Sequence, residues 1–216
     1  GCVERLVACG ANRAICNRFG ATALHHACDR GHHECTKHLT GVGAGERCLD
    51  LGDEKGVTPL HSCAYHGHSE CMAILLNEGA NVLSADVNGT TPLMMAAYAG
   101  HLNCVSKLLE AAETDSVLQK LLDLTDHRQA TALHFAAFRG HDEILKLLVT
   151  RGSKVDLRDI EGSTALHKAA FAGHKNCVAI LVANKADTNA RDNYVRRRLR
   201  ATRAFPPIVL IHLFAL

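Results

Sequence analysis

The chain has 216 residues, is 47% hydrophobic and 21% charged, and carries a formal net charge of +2. That length suits one domain or one short repeat array, and the apolar content predicts a folded core. Charge is unevenly placed. Residues 194–216 hold five arginines and no acid, so removing those five from the 24 basic residues leaves 19 against 22 acidic, about −3 over residues 1–193. The body is therefore not a basic nucleic-acid surface, and the absence of an 18-residue apolar run predicts no spanning helix.

The chain opens on a helix-like stretch in which Cys2, Leu6 and Val7 align with Cys71, Leu75 and Leu76, and Gly10-Ala11 aligns with Gly79-Ala80. This reads as the second half of a repeat, so further repeats are expected upstream. A pattern Thr-x-Leu-His-x-small-small-x-x-Gly-His then begins at Thr22, Thr58, Thr91, Thr131 and Thr164, with Met94 replacing the first histidine in the third copy. The spacings are 36, 33, 40 and 33 residues.

Each copy predicts two short helices and a turn. In the second copy Thr58 caps the first helix, and Pro59 sits where its missing N–H costs nothing. Gly67 permits the left-handed turn that ends it. A second helix is predicted from about His68 to Asn77, with Cys71, Ile74 and Leu75 on one face. Asp86-Val87-Asn88-Gly89 then reads as a tight turn. The long spacings place three extra residues near Gly41–Gly52 and seven in Ala111–Asp126, where Ser116–Leu122 could extend a helix or add a turn.

These motifs resemble the ankyrin-repeat family over residues 1–193, with a partial repeat at 1–21 and full ones from about 22, 58, 91, 131 and 164. The implied fold is an all-α solenoid of helix-turn-helix units with short β-turn fingers. The recurrent cysteines and long inter-repeat loops are similar to large multi-ankyrin scaffolds, loosely to the regulatory ankyrin-repeat subunits of protein phosphatase 6.

His25, His26, Cys28, His32, His33 and Cys35 crowd into eleven residues and suggest a zinc site when read alone. The repeat register argues against it. The slot four residues past each Gly-His glycine holds Cys35, Cys71, Cys104, Ile144 and Cys177, and a slot that accepts isoleucine is an apolar core slot. Nine of the fifteen histidines are repeat positions, and the resemblance implies that those after leucine hydrogen-bond between repeats. No phosphate-binding glycine loop, Gly-x-Ser-x-Gly or His-Glu-x-x-His is present. No enzyme activity, metal, cofactor, small-molecule substrate or nucleic acid is expected.

By the same resemblance, positions seven and eight after each repeat threonine face a concave groove. They are Asp29 and Arg30, Tyr65 and His66, Tyr98 and Ala99, Phe138 and Arg139, Phe171 and Ala172. Four consecutive copies put an aromatic in one slot, out of nine aromatics in the chain. Aromatics and arginine are enriched at binding hot spots. The expected partner is therefore a protein, held by Tyr65, His66, Tyr98, Phe138, Arg139 and Phe171, with Lys55, Asn88, Arg128 and Glu161 as a polar rim. The competing expectation buries the same rings against neighbouring repeats. Scaffold or adaptor is the expected role; the alternative is a targeting module of a larger enzyme or channel.

Beyond Asp192-Asn193 the pattern stops, because Val195 replaces the finger glycine and Arg197 the threonine. Residues 194–216 are basic, then apolar, and three readings stand: an unrelated tail, a cap on the last repeat, or an anchor to anionic membrane. A membrane partner is not expected. Ten unpaired cysteines point to an intracellular, reducing compartment, cytoplasm ahead of nucleus.

Overall fold

The computed structural model describes residues 1–41, 48–112 and 114–193. Among these are twelve short α-helices and no strand beyond an isolated Cys16–Thr22 bridge. They fall into two compact units, divided after Leu121. The tail from residue 194 and most of the first insertion lie outside the described residues.

Unit 1 contains α1 (Cys2–Ala8), α2 (Ala23–Asp29), α3 (His33–Thr40), α4 (Pro59–His66), α5 (Ser69–Asn77), α6 (Pro92–Ala99) and α7 (Leu102–Glu110). First helices stack on first helices (α2, α4, α6), and second helices on second helices (α1, α3, α5, α7). Unit 2 repeats the plan with α9 (Ala132–Arg139) against α11 (Ala165–Ala172), and α10 (Asp142–Thr150) against α12 (Lys175–Ala183). The seven-residue insertion forms a helix of its own, α8 (Asp115–Asp123), which begins in the first unit and ends in the second. Its Leu121 and Leu122 are buried.

Local chemistry sets the helix ends. Thr22, Thr58, Thr91, Thr131 and Thr164 are the N-caps of the five first helices, and Pro59 and Pro92 occupy the first turn. Gly67, Gly100, Gly140 and Gly173 close four of these helices in the left-handed conformation. The core of unit 1 includes the leucines that follow the caps, Leu24, Leu60 and Leu93, with the small residues behind them; in unit 2 Leu133 is buried in the same way. No single repeat could bury this face alone. Cys71, Cys104, Ile144 and Cys177 are all buried in the second helices, as the apolar reading of that slot requires; Cys35 is half-buried.

Each finger is built on one Asp or Asn side-chain oxygen. Asp53 Oδ1 accepts the N–H groups of Lys55 and Val57 at 2.8 and 2.9 Å. Asp86, Asp126 and Asp159 do the same two and four residues on, and Asn17 serves the first finger. Backbone bonds then join neighbouring fingers, Glu54 N–H to Phe19 C=O and Val87 N–H to Lys55 C=O in unit 1, Ile160 N–H to Arg128 C=O in unit 2.

Candidate protein-interaction surface

Two sets of histidines hold adjacent repeats in register. In the first set, Nδ1 of His25, His61 and His134 accepts the N–H of Thr22, Thr58 and Thr131 at 3.1–3.2 Å. The proton must then sit on Nε2, which donates to the carbonyls of Val57, Thr90 and Ser163 in the next repeat, at 2.9, 3.0 and 3.2 Å. Burial disfavours the charged imidazolium and holds all three below the ordinary histidine pKa, against the opposing pull of those carbonyls. Met94, at the equivalent place in the third repeat, is buried, and its side chain has no N–H to donate.

The second set reaches the opposite way. Nε2 of His68 donates to Asp29 C=O at 3.1 Å, His101 to Tyr65 C=O at 3.0 Å, and His174 to Phe138 C=O at 3.1 Å. Each acceptor is the residue seven places after its repeat threonine. The backbone that carries Tyr65 and Phe138 is thus anchored by the following repeat.

In unit 1 the side chains at and beside that slot differ in exposure. Tyr65 is 49% exposed, His66 is exposed and Tyr98 is half-buried. The His66 ring meets Tyr65 edge-on at 5.2 Å and stacks on His68 at 6.0 Å. Its Nδ1 donates to Ser62 C=O at 3.1 Å, and the Asp29 carboxylate lies 3.8 Å away, beyond hydrogen-bond length. Lys55 and Asn88 are exposed at finger tips. Beside them are apolar tips that motif reading passed over: Phe19, under the Arg18 guanidinium at 4.7 Å, and Val87. An apolar residue inside an Asx turn was the available signal.

In unit 2 Phe138 is 41% exposed, Phe171 is 80% exposed and Arg139 is exposed, whereas Phe135 is half-buried. Two residues expected in the polar rim bind each other: Arg128 Nη2 lies 2.6 Å from Glu161 Oε1. Glu161 also meets Lys168 Nζ at 3.1 Å, and Lys168 reaches buried Asp159 at 2.6 Å. Burial opposes both charges in that last pair. Hydrogen bonding overcomes it, leaving Asp159 below and Lys168 above their ordinary pKa values. Lys168 escaped sequence reasoning because its partner Asp159 belongs to the finger, nine residues earlier. Ile160 adds an exposed apolar finger tip.

Among the described residues, no three His, Cys, Asp or Glu side chains are placed to hold a metal, and no helix is long and apolar enough to cross a membrane. A family model described as ankyrin repeats (3 copies) matches residues 1–86, 42–120 and 110–192. Comparison with curated proteins finds no match. With that model matching residues 1–192 without a gap, and with threonine caps, Gly-His latches and Asx fingers recurring in register, the chain belongs to the ankyrin-repeat family.

Proposed function

We propose that this chain is a non-catalytic scaffold or adaptor that binds a partner protein along its groove-facing side chains. The observation that carries this reading is the recurrence of an outward aromatic in one repeat slot. Tyr65 and Phe138, with their carbonyls anchored by His101 and His174, are the best-defined cases. A ring on a fixed backbone loses little conformational entropy on binding and offers a large apolar area with polar surroundings. Tyr98, Phe171, His66 and Arg139 extend the contact, and Lys55, Asn88, Arg128 and Glu161 form its rim. The compartment we assign is intracellular, cytoplasm ahead of nucleus, in keeping with ten free thiols.

The test is affinity capture of partners by the wild-type chain beside the Tyr98→Ala/Phe138→Ala variant, with circular dichroism to check that both fold. A partner retained by the wild type and lost by the folded variant supports the reading. A partner retained equally by both removes these rings from the binding site. A second role, as the targeting arm of a larger enzyme or channel, uses the same surface and differs in what the bound complex contains.

A further inference from the structure

The last repeat of unit 2 leaves open a face that earlier repeats bury. Leu24, Leu60 and Leu133, two places after their threonines, are at most 2% exposed, whereas Leu166 is half-buried. Four places further on, Cys28, Ala64 and Ala137 are fully buried, whereas Ala170 is exposed. On the second helices Met72 and Leu145 are fully buried, whereas Val178 at the same place is half-buried and Val182, one turn on, is exposed. His167 Nδ1 accepts the Thr164 N–H at 3.3 Å, but among the described residues its Nε2 meets no carbonyl like those of Val57, Thr90 and Ser163. Gly173 has no imidazole against it. Leu166, Ala170, Val178 and Val182 thus form an apolar end face on α11 and α12, where a solenoid's last repeat has no neighbour to cover it.

The chain leaves this repeat from a finger stacked on the repeat's own. Asn193 N–H binds Glu161 C=O at 2.8 Å, as Ile160 N–H binds Arg128 C=O. A further repeat does not follow in register. It would put Arg197 and Arg198 in the places of Thr164 and Ala165, which are 1% and 0% exposed, and burying an unpaired guanidinium there is costly. Residues 205–216 are different in kind: Phe-Pro-Pro-Ile-Val-Leu-Ile-His-Leu-Phe-Ala-Leu, with no charged side chain. The stretch 194–204 before them holds all five arginines. Extended, it reaches roughly 35 Å. That exceeds the length of α12, about 13 Å for a helix of its size.

We infer that the apolar segment 205–216 folds back over the end face of α11 and α12 and caps the array, with the arginine-rich stretch 194–204 as its solvated connector. An uncharged apolar segment matches an uncharged apolar face, and contact removes both from water. The tether makes the contact intramolecular, so the segment outcompetes a free partner of equal affinity. The arginines stay outside the contact, because no carboxylate belongs to the face they would otherwise enter.

Hydrogen exchange of the full chain, read by mass spectrometry, tests this. In the Ile211→Asp/Phe214→Asp variant the amides of α12 are expected to exchange faster by about tenfold, because the cap no longer holds, while those of α4 in unit 1 are unchanged. Both substitutions lie beyond the repeats, so the fold is retained. Ala170→Glu, at an exposed position, charges the face from the other side and is expected to give the same acceleration. Unchanged α12 exchange in the tail variant overturns the proposal. So does a response to the tail variant without one to Ala170→Glu, which would seat the segment elsewhere. Protection of α12 that rises with protein concentration also overturns it and assigns the face to a second copy.

Discussion

Nε2 of His101 donates to the carbonyl of Tyr65 at 3.0 Å, and the ring reaches it by lying flat against Gly67. A Cβ added to Gly67 would sit 2.5 Å from His101 Nδ1. Gly31 and Gly140 face His68 and His174 in the same way, at 2.6 and 2.4 Å. Gly31, Gly67 and Gly140 therefore have two tasks: to turn left-handed, and to leave room for the next repeat's imidazole.

These two tasks can be separated. Gly67→Ala adds both strain at φ +79° and a clash with the ring, for an expected cost of about 3 kcal/mol. Gly173 has φ +78° with nothing within 4 Å, so Gly173→Ala meets the backbone term alone, about 1 kcal/mol. Urea unfolding of both variants checks the difference. Equal losses would mean that the imidazole contact contributes nothing.

Among the described residues, two hold left-handed backbone without being glycine. Gln129, at φ 59°, occupies the finger position that Gly20, Gly56, Gly89 and Gly162 fill elsewhere. Lys185, at φ 64°, ends α12 where Gly79 ends α5 and Gly152 ends α10. Gln129→Gly and Lys185→Gly are each expected to stabilise the fold by about 1 kcal/mol. Unchanged urea midpoints in both would contradict that expectation.

The interrepeat histidines make stability depend on pH. Folded His25, His61 and His134 titrate below the ordinary value of 6.5, so the unfolded chain binds more protons just below that pH. Their contribution is complete above pH 6.5 and is lost as pH falls from there through the lower folded values. His61→Met copies the third repeat. It is expected to cost about 1–3 kcal/mol at pH 7.5 through the lost bonds. It should also flatten the acid slope between pH 6.5 and 5, by up to about 1.4 kcal/mol per pH unit. Urea unfolding across that range measures both effects, and an unaltered slope would exclude His61 as a contributor.

Lys168 links a finger to the helix that follows it, through Asp159 and Glu161. Lys168→Met leaves the Asp159 carboxylate buried with only its N–H donors, for an expected loss of about 1–2 kcal/mol at pH 7, less than for a fully buried pair because Lys168 is partly exposed. Asp159 titrates below 3.8, so its contribution is present above that pH and is lost as pH falls through the lower folded value. Lys168 titrates above 10.5, so its contribution is lost as pH rises through the higher folded value. The gap between variant and wild type should therefore close at both extremes, which thermal melts across pH would reveal.

Much of this fold was legible from single residues because the repeat's determinants are local. Thr58, Pro59 and Gly67 set the ends of α4 by contacts within one or two turns, and Asp86 closes its finger within four residues. Ser116–Leu122 was less legible. Its apolar spacing suits either an extension of α7 or a separate turn, and packing selected a separate helix, α8.

What the sequence determined by itself is the register: five threonine-capped first helices, their glycine stops, and the slots in which Tyr65, Tyr98, Phe138 and Phe171 recur. These follow from capping, left-handed turns and helical spacing, which act over a few residues. The tertiary structure decided which groups meet across about 30 residues of chain. It paired Arg128 with Glu161 and set the His101 imidazole on the Tyr65 carbonyl. Those contacts depend on how one repeat seats against the next, and no motif within a single repeat encodes that distance.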